Sequence, residues 1–159
     1  ESYINNDGFG HVFIGPKTQS KYLSFIKPIL FQVEESLGIR IDKRKLWRIR
    51  AGLLLPARAD TPEYNNCHID HTIPHYTGLY YVNDCDGPTY VFDQKITELR
   101  ASKRNDKDIL EYVNNTEMTV AEKIDPKKGR FAMFDGQRFH SSSMPRDSKA
   151  RIVITFNWT

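Results

Sequence analysis

The sequence has few cysteines and no long apolar run. Its two cysteines, Cys67 and Cys85, follow no zinc-binding spacing, so reduced thiols in a cytosolic setting are the simplest interpretation and one disulfide stays open. No apolar stretch is long enough to span a membrane, and the start does not read as a signal peptide. The chain opens at Glu1 without a methionine, so we expect that its start has been trimmed. The expected localisation is therefore cytoplasmic or undecided.

The sequence also lacks a dense block of one charge. Its 159 residues carry 23 Lys and Arg against 20 Asp and Glu, and the basic residues are dispersed over short groups such as KRKLWRIR, LRASKR and PKKGR. Nucleic-acid-binding proteins usually concentrate basic residues on one face, so neither nucleic acid nor a membrane is an expected partner. No internal repeat or low-complexity tract is present, and the length suits a single domain over residues 1–159.

One helical segment precedes a series of short strands. Apolar spacing in KTQSKYLSFIKPILFQVEESL predicts helix over about residues 17–38, which Pro28 should kink or divide and Gly38 should end. The charged segment 94–116 is expected to be a loop with one or two helical turns. The order predicts a mainly β fold, a sandwich or jelly-roll barrel over about residues 45–159 with a supporting N-terminal helix. The predicted strands cover residues 45–55, 75–83, 89–93, 119–124, 129–135 and 150–159.

Candidate metal ligands cluster in the stretch NNCHIDHTIPHYTGLYYVND. In an extended segment His68 and Asp70 point to the same face, and His140 follows a predicted strand far along the chain. Two imidazoles and one carboxylate form the facial triad of non-haem iron oxygenases, which leaves coordination positions open. Arg151, at the start of RIVITFNW, has the fork geometry to bind a carboxylate bidentately. Together these residues indicate a metal enzyme whose cosubstrate carries a carboxylate.

The order of these motifs resembles a known family over about residues 48–158. HxD, YYVN, a Gly-initiated strand, a late histidine and then an arginine occur in the same order in the Fe(II)- and 2-oxoglutarate-dependent oxygenases, within them the prolyl-hydroxylase-like branch. The resemblance implies a double-stranded β-helix, a distorted jelly roll, with the metal site inside its open end. It also implies that the triad residues His68, Asp70 and His140 ligate iron.

The resemblance further implies a pocket for 2-oxoglutarate. Arg151 would pair with the distal carboxylate of the cosubstrate, the Tyr81 hydroxyl would support the same group, and Thr89 would line the pocket. Thr155, on the same strand face as Arg151, is a further candidate for that wall.

Two features bear on alternatives within and outside the family. Nucleic-acid demethylases of this superfamily carry a second arginine six residues after the first, where this chain has Asn157. The sequence therefore argues against a function in nucleic-acid repair. A zinc site in which His71 replaces one triad ligand stays open.

The activity implied by the resemblance is hydroxylation of an unactivated C–H bond with release of succinate and CO2. It would require Fe(II), 2-oxoglutarate and O2, with ascorbate as an additional reductant. A prolyl or other residue of a peptide or protein is the leading substrate. A free amino acid or small metabolite is the runner-up, and a catalytically silent jelly-roll binding module is a further alternative. A deep pocket with a second anion-binding group would favour the metabolite, whereas an open groove beside the iron would favour the peptide.

Arg48 and Arg50 share one face of an early strand, and this face is either solvated or in contact with substrate.

Overall fold

The computed structural model describes residues 8–159 and shows two antiparallel sheets. The larger sheet has the spatial order β2-β1-β3-β9-β4-β7, and the smaller sheet has the order β6-β5-β8. The strands are β1 (Gly8–Gly15), β2 (Thr18–Gln19), β3 (Leu46–Leu54), β4 (Tyr76–Tyr81), β5 (Thr89–Lys95), β6 (Val120–Ile124), β7 (Phe131–Asp135), β8 (Arg138–Ser142) and β9 (Arg151–Trp158).

Apolar side chains from both sheets meet between them. Leu79 and Tyr81 of β4 and Val153 of β9 pack in one buried cluster with Val91 of β5 and Ile124 of β6. Strands with one buried and one outward face alternate apolar and polar residues, and this alternation is what the strand predictions used. The mainly β prediction is confirmed.

The N-terminal helical segment supports the back of the larger sheet. A 3-10 turn covers Lys21–Phe25 and helix α1 covers Lys27–Leu37, so the predicted helix is divided just before Pro28. In the first turn of α1 this proline removes no helical hydrogen bond. Gly38 ends the helix with a φ of 64°, in the left-handed region that favours glycine.

The prediction for residues 94–116 was wrong in part. Two short 3-10 turns, Ile96–Glu98 and Ala101–Lys103, are followed by a ten-residue helix, α2 (Asp106–Asn115). The side chain of Asn105 caps this helix by accepting a hydrogen bond from the N–H of Asp108. The helix packs its apolar face on the buried cluster around Phe139, so tertiary contacts stabilise a short and highly charged segment.

Two strand regions were not predicted. The pair β1 and β2 extends the larger sheet beyond β3, because GFGHVFIG pairs along nearly the whole of β3. Strand β8 contains His140, which was expected to follow a strand rather than lie within one. None of the helices in the described residues has the length and apolar character that a membrane-spanning helix requires.

Candidate metal centre and carboxylate pocket

Backbone hydrogen bonds bring the two candidate histidine ligands side by side. The N–H of His68 donates to the carbonyl of His140 at 3.0 Å, and the N–H of His140 donates back at 2.9 Å. Two residues that exchange backbone hydrogen bonds in this way form a hydrogen-bonded pair of antiparallel strands. The pairing places the centroids of the two imidazole rings 4.5 Å apart. The segment before β4 is thereby joined to β8 in the smaller sheet.

Asp70 completes a group whose ligand atoms all lie within 4.8 Å of one another. Across residues 8–159 the triad His68, Asp70 and His140 is the one group of this kind. The zinc alternative through His71 therefore lacks geometric support, since His71 Nδ1 instead accepts a hydrogen bond from the N–H of Ile73 at 3.2 Å.

The hydrogen bonds of both imidazoles leave Nε2 free for a metal ion. His68 Nδ1 faces the carbonyl of Asn66 at 3.2 Å, and His140 Nδ1 faces the carbonyl of Arg138 at 3.1 Å. A carbonyl can only accept, so each Nδ1 carries a proton, and in the neutral ring Nε2 then presents a lone pair. Burial, with the neighbouring His68, lowers the pKa of His140 to about 4, so this ring is neutral at physiological pH.

Four side chains surround the Asp70 carboxylate. Arg48 donates to Oδ1 at 2.6 Å, and on the other side Asn157 donates to Oδ2 at 2.8 Å. Thr77 lies 3.4 Å from the same oxygen, and His140 Nε2 lies 3.7 Å from it. Burial alone would raise the pKa of Asp70, but its charged and hydrogen-bonding neighbours outweigh this effect and hold the pKa well below its usual range. Asp70 is therefore ionised, as a metal ligand must be.

A second group of buried side chains surrounds Arg151. The side chain of Arg151 donates from Nη2 to Thr89 Oγ1 at 2.7 Å and from Nε to the carbonyl of Gly87 at 2.8 Å. The hydroxyls of Thr89 and Tyr81 lie 2.7 Å apart. Arg151 is only 4% exposed and its guanidinium carbon lies 5.7 Å from the Tyr81 ring centroid. With no carboxylate of the protein against this cation in the described residues, the site has one unmatched buried positive charge.

One cavity of about 320 Å³ connects the triad with Arg151. Thr89, Thr155, Leu79 and Val153 contribute to its wall, whereas Tyr81 stands behind Thr89 and does not line it. Strand β3 turns Arg48 and Arg50 toward the cavity, and Gly8 and Gly10 of β1 also line it.

Three positioning residues escaped the sequence analysis. Arg48 was noticed only for its strand face, Asn157 only for the arginine that it replaces, and Thr77 not at all. Their contacts with Asp70 follow from the register in which Arg48 pairs with Asn157 and Asn157 pairs with Thr77. The alternation within β3 is the one local signal, because it predicted that Arg48 lies on the same face of the strand as Arg50. His75 is also buried, and its Nδ1 forms a hydrogen bond of 2.8 Å with the carbonyl of Ile73.

An antiparallel jelly roll that carries a group of two histidines and one carboxylate defines the class of non-haem metal-site jelly rolls. A family model described as "Putative 2OG-Fe(II) oxygenase" matches residues 56–157. The chain belongs to this family of 2-oxoglutarate-dependent non-haem iron dioxygenases. Membership confirms the predicted family, and with it Fe(II), 2-oxoglutarate and O2 as the cofactor and cosubstrates. A comparison with curated protein sequences gives no match.

Solved structures of similar fold include three proteins that this chain covers over most of its length. An oxidoreductase of the 2OG-Fe(II) oxygenase family from Burkholderia pseudomallei aligns with a TM-score of 0.59 at 10% identity, over 96% of this chain and 68% of that chain. AviO1 from Streptomyces viridochromogenes Tue57 aligns with a TM-score of 0.55 at 11% identity, over 95% and 66%. A prolyl hydroxylase from Trichoplax adhaerens, solved with a hypoxia inducible factor oxygen degradation domain peptide fragment, aligns with a TM-score of 0.54 at 14% identity, over 96% and 63%. The chain thus spans about two thirds of the length of these structures, and the likeness confirms the jelly-roll fold.

The residues present fit an iron ion. The donor set consists of two imidazoles and one ionised carboxylate, whose ligand atoms all lie within 4.8 Å of one another. Nitrogen and oxygen ligands in this combination suit Fe(II) and leave open positions for a chelating cosubstrate. The hydrogen bonds at each Nδ1 and around Asp70 are the outer contacts that orient metal ligands.

Proposed function

We propose that this chain is an Fe(II)- and 2-oxoglutarate-dependent dioxygenase that hydroxylates an unactivated C–H bond. In the overall reaction, one oxygen atom of O2 enters the product hydroxyl and the other enters succinate, while 2-oxoglutarate loses CO2. The observation that carries the proposal is the single cavity that holds both the His68, Asp70 and His140 group and the buried cation Arg151.

In this proposal the triad holds iron, which when bound supplies the activation of O2 for oxidation of the substrate. His68 and His140 contribute Nε2, and Asp70 contributes one carboxylate oxygen. Arg48 and Asn157 hold the carboxylate from two sides, so its orientation does not depend on the ion. A ligand that is already oriented loses less conformational entropy when the metal binds.

Arg151 is the proposed partner of the distal carboxylate of 2-oxoglutarate. Its burial makes an unmatched charge costly, and a carboxylate in the cavity would remove that cost. Thr89 fixes the guanidinium from one side and leaves other N–H groups available. The Tyr81 hydroxyl orients Thr89, and Thr155 borders the same space. Leu79 and Val153 keep this part of the cavity apolar, which limits water around the reacting groups.

The proposed substrate is a prolyl or other residue of a peptide or protein. The fold shared with a prolyl hydroxylase that was solved with a peptide supports this choice. A second candidate is a free amino acid or small metabolite, because Arg50 gives the cavity an additional cation. Nucleic acid is not proposed: Asn157, which occupies the position of the demethylases' second arginine, is fully buried against Asp70.

An anaerobic titration tests this function. Metal-free protein receives Fe(II) and then 2-oxoglutarate, and the weak visible charge-transfer band of the chelate is recorded. We expect a band in the wild type, none in His140→Ala and a band that needs far more 2-oxoglutarate in Arg151→Ala. Arg100→Ala, an exposed arginine outside the cavity, is the matched control. Intact metal binding without a band would overturn the 2-oxoglutarate assignment and favour the silent binding module.

A further inference from the structure

A second arginine faces the cavity at a distance from Arg151. Arg48 and Arg50 alternate along β3 and both line the cavity. Arg48 is engaged by Asp70 at 2.6 Å, whereas Arg50 forms no ion pair with any residue in the range 8–159. The side chain of Arg50 thus has its donors available.

Strand register places this free cation well away from the proposed cosubstrate pocket. Arg50 pairs with Thr155, and Leu54 pairs with Arg151. The offset of four residues (from 151 to 155) separates the two positions by roughly 13 Å along the strands. The triad lines the same cavity, so a molecule held at Arg50 would approach the metal ligands without displacing a carboxylate from Arg151.

Two glycines of the cavity wall lie near the Arg50 side chain, one in contact with it and one beside open space. A Cβ added at Gly10 of β1 would lie 3.0 Å from Arg50 Nη2 and 3.2 Å from Nε, so the guanidinium rests against bare backbone. A Cβ added at Gly52, the next cavity-facing position of β3, would meet nothing within 4 Å. The rim beside Arg50 can therefore admit a ligand group without moving a side chain.

The charges that line the cavity favour an anionic guest. They are the three arginines Arg48, Arg50 and Arg151 and the single carboxylate Asp70. Fe(II) and the 2-oxoglutarate dianion cancel one another, so the loaded cavity keeps an excess of positive charge. Arg48 pairs with Asp70, and the distal carboxylate of the cosubstrate would pair with Arg151, so Arg50 is the arginine of the cavity that is left without an anionic partner. Arg50 is exposed, so solvent screens its charge in part, and the preference comes from its lack of an anionic partner.

We propose that Arg50 binds a carboxylate of the primary substrate, so that the substrate is a carboxylic acid whose reacting C–H lies beside the triad. The acid is either a free molecule or an acidic residue next to the hydroxylated residue of a peptide. This inference rests on the proposed function and specifies its substrate class. A guanidinium and a carboxylate form paired hydrogen bonds that orient as well as bind, so Arg50 would set which C–H faces the metal site.

Two matched pairs of probes test the proposal. The first pair is N-acetyl-L-proline and its primary amide, and the second is the peptide acetyl-Pro-Asp-amide and its Asn counterpart. Calorimetric titration of protein saturated with Mn(II) and 2-oxoglutarate gives the dissociation constants without turnover. We expect an acid to bind at least tenfold more tightly than its amide, and the pair that shows this difference identifies the source of the carboxylate.

Variants assign the preference to Arg50. Arg50→Gln should abolish the difference between acid and amide, Arg50→Lys should retain part of it, and Arg100→Gln should retain all of it. Equal binding of acid and amide in both pairs by the wild type would overturn the proposal, as would a preference that persists in Arg50→Gln.

The charge-transfer band separates this test from the proposed function. A wild type that forms the band but does not distinguish acid from amide overturns the Arg50 proposal alone. A preference for acids that depends on Arg50, in a protein that forms no band, overturns the oxygenase proposal alone.

Discussion

At the scale of single residues, the Asp70 carboxylate organises most of the candidate metal centre. Arg48 and Asn157 hold its two oxygens from opposite sides, and Thr77 approaches from the adjoining strand. Asn157 is fully buried, and its amide donates to both Asp70 and Thr77. Such a buried polar network is stable only when every member is satisfied.

The first prediction concerns Asn157→Leu. This change keeps the side-chain volume similar but removes both donors, so we expect the free energy of unfolding to fall by about 1–3 kcal/mol. The metal dissociation constant should rise about 10- to 100-fold, because Asp70 loses one of its orienting contacts. Metal titration and denaturant unfolding measure the two effects. Asn114→Leu on the exposed side of α2 is the control, and an unchanged metal affinity would contradict the positioning role.

The second prediction concerns Thr89→Val, which removes the hydroxyl between Tyr81 and Arg151 at nearly constant shape. A hydrogen bond to a charged group contributes about 1.5–3 kcal/mol, so the 2-oxoglutarate concentration at half-saturation of the band should rise at least about tenfold. Metal binding should be unaffected, since Thr89 does not contact the triad. Thr89→Ser keeps the hydroxyl and should behave as the wild type. A loss of metal affinity in Thr89→Val would refute the assignment of this residue to the cosubstrate pocket.

Residues with a local signature were predictable, and residues that act across strands were not. His68 and Asp70 lie two positions apart, and His140 and Arg151 have side chains with distinctive chemistry near strands, so a sequence pattern could group them. The contacts of Arg48 and Asn157 with Asp70 depend on the pairing of β3 with β9 and of β9 with β4. A shift of register by one residue would turn each side chain to the opposite face, and no local pattern specifies that register.

At the scale of elements, the turn between β7 and β8 is shaped by a close approach of His75. A Cβ added at Gly136 would overlap the His75 ring, and the N–H of Gly136 donates to the carbonyl of His75 at 2.8 Å. Gly136 therefore permits the backbone of the turn to pack directly on an imidazole. Strand β8, which carries His140, begins two residues later at Arg138.

The third prediction follows from this contact. Gly136→Ala should lower the free energy of unfolding by about 1–3 kcal/mol, because the added methyl group over-packs the site. His75→Ala removes the obstructing ring, so adding Gly136→Ala in that background should cost much less. Denaturant unfolding of the four proteins gives the coupling between the two positions. Additive effects would show that the overlap with His75 is not the cause.

Elements were predicted where periodicity is strong and missed where neighbours stabilise them. The strands around Leu79 and Val153 have the alternation or continuous apolar character of buried strands. Helix α2 is amphipathic over only ten residues and has no buried residue of its own, so its apolar spacing gave a weak signal. Strand β1 includes three glycines and an exposed Phe9, and its order comes from pairing with β3 rather than from its own composition.

At the scale of the whole molecule, the core does not depend on the metal ligands. The three apolar clusters contain none of the triad residues. Arg48 and Asn157 stabilise the charge of Asp70 without an ion. The protein should therefore fold before it binds metal.

The fourth prediction is that removal of the metal with a chelator leaves the β-sheet circular dichroism spectrum unchanged while the melting temperature falls. Native-state binding at a free metal concentration of 100 times the dissociation constant stabilises by about 2.7 kcal/mol. Addition of metal should thus restore the melting temperature in the wild type and not in His68→Ala, whose side chain is the exposed member of the triad. Loss of the sheet spectrum in the metal-free wild type would show instead that the metal is part of the folding core.

The reciprocal hydrogen bonds between His68 and His140 also determine the stage of folding at which the metal site forms. The two residues are distant in the chain, and closing so long a loop carries an entropic cost that the collapsing chain meets late. Before that closure the chain offers His68 and Asp70 together but not His140, so the complete triad does not yet exist. The metal site with all three ligands therefore forms in the same step that completes the barrel.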